Sequence, residues 1–421
     1  MPVASGSDFL NLLMEKQIRT YLEKHLPEYL DILKQMVRVN SFSGNPDGVN
    51  RVGELTREVF SSLGFDAQQV QAENPLYGKH LILTKPGSSQ LKIGMITHMD
   101  TVFPPEEEEA HDFHWREDGD LVFGPGTNDC KGGTVLMLMT LSAIKEFLPE
   151  VYDKINWVLL LNAAEERLSE DFGALCLSRL GKDALAALVF EAGVRNGNVF
   201  QLVTSRKGRC TFDVQVDGKS AHAGSSHSEG ANAIVQLAHT IQRIAGLTDY
   251  SRDLTFNVGT VRGGTVVNRV PHQAHATVEM RAFSQDVFDD GVRKMLALQE
   301  EIDVASHKGK YPCRVSIRMR NQAVPWPENP ATQNLLAVWQ QAAAPLGFSV
   351  IPEARGGLSD GNALCRIIPT IDGLGPHGAN AHCSESSEDG TKQPEYVDKS
   401  SFVPKALLNT LAIARLAETA G

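Results

Sequence analysis

Apolar residues at helical spacing open the chain. Ile18, Leu22, Leu26, Leu30, Leu33 and Met36 predict a helix over 14–39, and a second is predicted over 49–63. Strand-like apolar runs follow at 80–84, 91–97, 156–162 and 186–190, with helical segments at 133–147 and 172–180 between them. Strands alternating with helices predict an α/β fold, a mixed, mostly parallel sheet flanked by helices. From about Ser205 the pattern changes. Residues 210–216 alternate like a half-exposed strand, 231–245 are helical, 255–261 and 274–282 are strands, 287–302 a helix and 315–319 a strand. That order, βαββαβ, is a two-layer unit of ferredoxin-like kind. Pro325, Pro327 and Pro330 then punctuate the chain, and α/β character returns at 332–346, 367–372 and 403–418. The economical reading is one α/β domain, 1–206 with 322–421, interrupted by an inserted domain over 207–321. The acidic run Glu106 to Glu109 is expected to be a solvated loop.

Composition narrows the classes. A chain of 421 residues exceeds one ordinary hydrophobic core. A net charge of -11 argues against nucleic-acid binding, because nothing gains from neutralising phosphates. No apolar run is long enough to span a bilayer. The N-terminus, MPVASGSDFLNLLMEKQ, has no basic region before its apolar patch, so it is a poor secretory signal and a cytoplasmic location is expected. The six cysteines show no CxxC pairing, which favours free thiols; Cys130 and Cys383 are read as bystanders beside candidate ligands.

The chemistry gathers where apolar strands end. The run 91–97 leads into His98-Met99-Asp100, whose first and third side chains project together from the strand. In open α/β sheets that carboxyl edge is where ligands bind. A glycine-rich turn, Gly124 to Gly133, places Asp129 before a helix. It lacks the spacing of a phosphate loop. The strand at 157–161 runs into Glu165-Glu166, the next into Glu191, and the run 367–371 leads toward His382. Convergence of these crossovers predicts a pocket lined by His98, Asp129, Glu166, Glu191 and His382. Two imidazoles and three carboxylates suit two zinc ions sharing one carboxylate, although cobalt and manganese suit the same ligands. Adjacent side chains diverge in extended backbone, so one of Glu165-Glu166 can face a metal while the other serves as general base. Taken singly, each residue has a plainer explanation: a satisfied buried histidine, a surface pair of glutamates, a helix-capping Asp129. Their joint placement after consecutive strands argues for function.

These residues resemble a known family. His98-Met-Asp-Thr-Val, Gly124-Pro-Gly with Asp129-x-Lys-Gly-Gly, Glu165-Glu166, Phe190-Glu191, Gly218-Lys-Ser-Ala-His-Ala-Gly224 and His382 look like the di-zinc aminoacylase/carboxypeptidase family, nearest its bacterial glutamate carboxypeptidase branch. The resemblance implies a zinc exopeptidase-like catalytic domain with an inserted lid and dimerisation domain. It implies that Asp100 holds the His98 ring and that Asp129 bridges both metals. Glu191 would complete the His98 zinc, and Glu166 with His382 the other. Glu165 would be the general base. A cis peptide is implied after Asp129. In a homodimer His222 would reach the partner subunit's site and stabilise the oxyanion. Asn268 and Arg281 would recognise substrate, the latter clamping a carboxylate; an exposed strand arginine is the plainer reading of Arg281. Ser359-Asp360 resembles a turn that positions backbone beside the site. The chain departs from the family at Ala164, usually Asp, in the longer turn after Glu166, and in the insertion from Cys383 to Pro394.

The expected activity is hydrolysis of an amide or peptide bond in a small peptide, releasing a free amino acid. An N-acyl-amino-acid deacylase is the alternative with the same metal core. A non-catalytic binding protein on this fold is the alternative of another class.

Overall fold

In the computed structural model, which describes residues 6–419, six strands form one sheet. Their order is Asp66–Gln71, Lys79–Lys85, Asn156–Asn162, Lys92–His98, Ala186–Val189 and Thr370–Ile371. The last four are parallel, while Lys79–Lys85 runs against both its neighbours, so the sheet is mixed. Successive side chains of a central strand serve opposite layers. Trp157, Leu159 and Leu161 enter one core with residues of the helices Gly6–Val37, Lys131–Phe147 and Phe402–Thr419. Val158 and Leu160 enter the other, against Phe172, Cys176 and Leu180 of the helix Glu170–Leu180. Burial on both faces is why these strands read as unbroken apolar runs.

This sheet and its helices belong to a unit that runs to Thr204 and resumes over Glu328–Glu353 and from Ser359. A second unit comprises Ser205–Pro327 with Ala354–Leu358. Its antiparallel sheet has the order Thr255–Gly263, Gln273–Ala282, Gly208–Asp217, Arg314–Ala323. Cys210, Phe212, Val214 and Val216 alternate into a core with Leu237 and Ile244 of one helix and Phe288 and Met295 of another. The four strands and two helices follow in the expected βαββαβ order.

Several local expectations change. The acidic run is a short helix, Pro105–Ala110, rather than a loop. Pro105 in the first turn presets the backbone, and acids there complement the helix dipole. The segment 367–372 shrinks to Thr370–Ile371, because Ile368 N–H still bonds back to the Leu364 carbonyl and Pro369 follows. The edge strand Asp66–Gln71 was not legible, having no apolar face to bury. The first five residues of the N-terminal segment read above lie outside the described residues. No helix among the described residues is long and apolar enough to cross a membrane.

Candidate metal centre

Parallel strands carry their carboxyl ends to one edge, and the chemistry stands there. His98 ends its strand, directly beside Asn162 in the register. Glu165-Glu166 follow Asn162 by a short turn, and Glu191 follows the strand Ala186–Val189. The turn before the helix Lys131–Phe147 delivers Asp129. Two glycines explain its tightness. Gly126 sits at φ +76, and a Cβ on Gly133 would stand 2.0 Å from the Phe190 carbonyl oxygen. Lys131 Nζ, buried in the same turn, donates to the main-chain oxygens of Val39 and Pro125 at 3.1 and 3.2 Å. Burial pulls its pKa down to about 8. The Asp129–Cys130 peptide is cis.

Asp129 joins the two histidines. Its Oδ1 lies 2.8 Å from His98 Nε2 and its Oδ2 lies 3.4 Å from His382 Nε2. Each histidine also faces one glutamate: Glu191 Oε1 is 3.7 Å from His98 Nε2, and Glu166 Oε2 is 3.2 Å from His382 Nε2. Ligand atoms of His98, Glu165 and Glu166 likewise lie within 4.8 Å of one another. The structure therefore brings together, in its first unit, His98, Asp129, Glu165, Glu166, Glu191 and His382.

The electrostatics are those of a negative cluster. Burial disfavours a charged His98, but Glu191, Asp100 and Asp129 outweigh it and hold the ring well above its usual pKa. Bonds to Asp129 and Glu166 push His382 up to about 11. Burial opposes ionisation of Asp129, yet its bonds to His382 and His98 keep the carboxyl well below the usual range. Burial and neighbouring acids raise Glu165 and Glu166. Four carboxylates around two imidazoles crowd negative charge into a partly buried place, which a divalent cation would neutralise. The His98 Nδ1 lies 3.0 Å from the Asp100 main-chain oxygen, the bond that directs Nε2 toward a metal. The donor set thus fits a metal centre.

Asp100 does more than face the ring. Its Oδ1 stands 3.4 Å from His98 Nδ1, but the carboxylate accepts the N–H of Glu165 at 3.0 Å, that of Glu166 at 3.3 Å and the Ser43 hydroxyl at 2.6 Å. Asp360 accepts from Asn162 Nδ2 at 2.8 Å, and burial pushes it up to about 7. Cys130, within reach of His98, Asp129 and Glu191, donates to the Phe190 carbonyl at 3.0 Å. Burial pushes its thiol up to about 12, which disfavours the thiolate that metals need.

Sequence reasoning missed Glu395. Fully buried, it accepts the N–H of Asn128 at 2.9 Å and of Asp129 at 3.1 Å, and burial pushes it up to about 8. The only signal was a carboxylate ahead of the short strand Tyr396–Asp398, which pairs with Leu121–Phe123 just before the Asp129 turn.

The other three predicted residues stand on the second unit. His222 is exposed, and its Nδ1 accepts the N–H groups of Gly224 and Ser225, both at 3.1 Å, so its proton sits on Nε2 as a donor. Its neighbour Ala223 donates to the carbonyl of Asn268 at 3.0 Å, which places His222 and Asn268 on adjoining segments. Arg281 Nε donates to Glu279 and Nη1 to the Gly356 carbonyl, both at 2.7 Å.

A model of the peptidase dimerisation domain matches residues 204–308. Carboxypeptidase G2 of Pseudomonas sp. strain RS-16 is 27% identical over 387 residues, covering 90% of this chain and 87% of that protein. Acetylornithine deacetylase of Proteus mirabilis is 23% identical over 333 residues, covering 74% and 81%. The crystal structure of aminopeptidase PepT from Bacillus cereus shares the fold, with a TM-score of 0.70 at 20% identity over 93% of this chain and 99% of that one. The relatives and the carboxylate–imidazole cluster together define a metallohydrolase. Within that class the chain fits the di-zinc aminoacylase/carboxypeptidase family near its glutamate carboxypeptidase branch, as the sequence motifs implied.

Proposed function

We propose that this chain is a zinc-dependent, carboxypeptidase-like hydrolase that cleaves an amide or peptide bond and releases a free amino acid. The observation that carries this reading is Asp129 lying between His98 and His382, each with its own glutamate. His98 and Glu191 would hold one zinc, His382 and Glu166 the other, and Asp129 both. Zinc ions bound there would polarise the substrate carbonyl and make water more acidic. Glu165, half-buried beside the cluster, takes a proton from the attacking water. The water oxygen bonds to the carbonyl carbon, the C–N bond breaks, and Glu165 returns the proton to the departing nitrogen. In a homodimer formed through the second unit, the Nε2–H of His222 from the partner subunit would stabilise the oxyanion, and Asn268 and Arg281 would bind the substrate. For Arg281 to clamp a carboxylate, it has to use N–H groups left over from Glu279 and Gly356. Six free cysteines favour a reducing, cytoplasmic setting.

Deacylation of an N-acyl amino acid is the second reading, favoured by the similarity to acetylornithine deacetylase. A panel of dipeptides and N-acyl amino acids, read by released amine, separates the two. Glu165→Gln is expected to abolish turnover while zinc content persists. Full activity in that variant would sink the mechanism.

A further inference from the structure

The turn that carries Glu165 and Glu166 has an unusual backbone arrangement. Four consecutive N–H groups each donate to a side chain. Ala163 donates to His80 Nδ1 at 3.1 Å and Ala164 to Asn162 Oδ1 at 3.0 Å. Glu165 and Glu166 donate to the two oxygens of Asp100. The sheet ladder has ended here, and side chains replace it.

His80 stands apart from the other acceptors. It lies on the neighbouring strand Lys79–Lys85, is 0% exposed, and packs its ring 5.0 Å from that of Phe172. Its other nitrogen, Nε2, is 3.1 Å from Asp171 Oδ2, which also accepts the N–H of Glu73 at 2.8 Å. Ala163 precedes the Glu-Glu pair, and Asp171 lies at the start of the helix that follows it. One imidazole therefore ties both ends of the segment 163–171, including the longer turn in which this chain departs from its family. The hydrogen bonds assign the tautomer: Nδ1 accepts from Ala163, so Nε2 carries the proton given to Asp171. A protonated ring has no acceptor for Ala163. Burial holds the His80 pKa below its ordinary value against the pull of Asp171, which keeps that acceptor in place.

We propose that His80, anchored by Asp171, is a positioning residue that closes the base of the loop bearing Glu165 and Glu166 and fixes where their carboxylates stand. The inference rests on the reading of Glu165 as general base. Catalytic groups have to be held within about half an ångström of their working geometry, and that falls to the side chains behind them. Gln can reproduce the neighbouring acceptor and donor of this ring; Leu can reproduce neither.

The test compares His80→Leu, His80→Gln and Asp171→Ala in the full-length zinc-loaded protein, measuring kcat and KM separately, together with amide hydrogen exchange over 163–166. His80→Leu is expected to lower kcat tenfold or more, leave KM within about twofold and speed exchange at those amides. His80→Gln is expected to restore most of both, and Asp171→Ala, which cuts the anchor from the more exposed side, to lower kcat several-fold. Unchanged exchange in folded His80→Leu, or in Asp171→Ala should the former not fold, overturns the proposal. So does a Gln variant no better than Leu. If the wild-type protein hydrolyses nothing, the functional reading falls, while the exchange comparison still decides whether His80 holds the loop.

Discussion

The two ends of the metal cluster are built differently. The His98 end is strand-borne and closed: the ring is 1% exposed, and its second nitrogen bonds to the Asp100 main chain. The His382 end is loop-borne and open: the side chain is 53% exposed, and the residue sits at φ +67. Asp129 is common to both. One end inherits its geometry from the sheet. The other depends on Asp129, Glu166 and the loop that follows His382. A site of this kind is expected to assemble from the rigid end outward.

The largest effect should come from removing Asp129, the proposed shared ligand. Asp129→Ala should leave less than half of the zinc bound and lower kcat/KM on the order of a thousandfold or more, given several kcal/mol of metal stabilisation. Zinc analysis after dialysis checks it, and retention of both ions would show that the two ends are independent.

Separate removal of the two histidines sharpens the contrast. In metal-free protein, His98→Ala breaks a buried charged contact and should cost about 3 kcal/mol. His382→Ala, more than half exposed and screened by solvent, should cost about 0.5 kcal/mol or less. Urea unfolding of the two variants measures both, and equal costs would erase the distinction.

pH should separate loaded from chelated protein. Both rings have folded-state pKa values raised above the unfolded value, His382 to about 11. Their stabilisation of the metal-free protein is therefore fully present below about pH 6.5 and lost as pH rises through the folded values. Zinc replaces those protons, so its affinity should climb over the same window. Melting curves from pH 6 to 9, with and without chelator, test the sign. A chelated protein that gains stability over that range would contradict it.

A modest effect concerns the segment behind the open end. Buried Ser384 donates its one proton to Glu107 at 2.5 Å and so accepts from His111 Nδ1 at 2.7 Å, which ties the segment after His382 to the acidic helix Pro105–Ala110. Ser384→Ala should cost about 1 kcal/mol and speed release of one zinc a few-fold, read by chelator competition. Equal acceleration for both ions would point to a site that loosens as a whole.

Much of the frame was legible. Doubly buried strands announce themselves as apolar runs, and a candidate ligand at a strand's end is marked by the break in that run, as at His98 and Glu191. The edge strand Asp66–Gln71 was not legible, since only Val70 packs against a core and only in part. Nor were the groups behind the ligands. Asp100 was read as a partner for the His98 ring, yet its carboxylate also carries the turn of Glu165 and Glu166. His80 and Glu395 look like ordinary strand and loop residues until their contacts with Ala163 and Asp129 are known.

By itself the sequence determined which chemistry was available and on which strand ends it would stand, because periodicity and breaks in hydrophobicity are local properties. Only the tertiary structure decided which residues meet. His382 reaches Asp129 and Glu166, Glu395 props the Asp129 turn, and His80 accepts from Ala163 just ahead of Glu165 and Glu166. These contacts join segments far apart in the chain, and packing of the sheet and its helices sets them rather than any pattern in neighbouring residues.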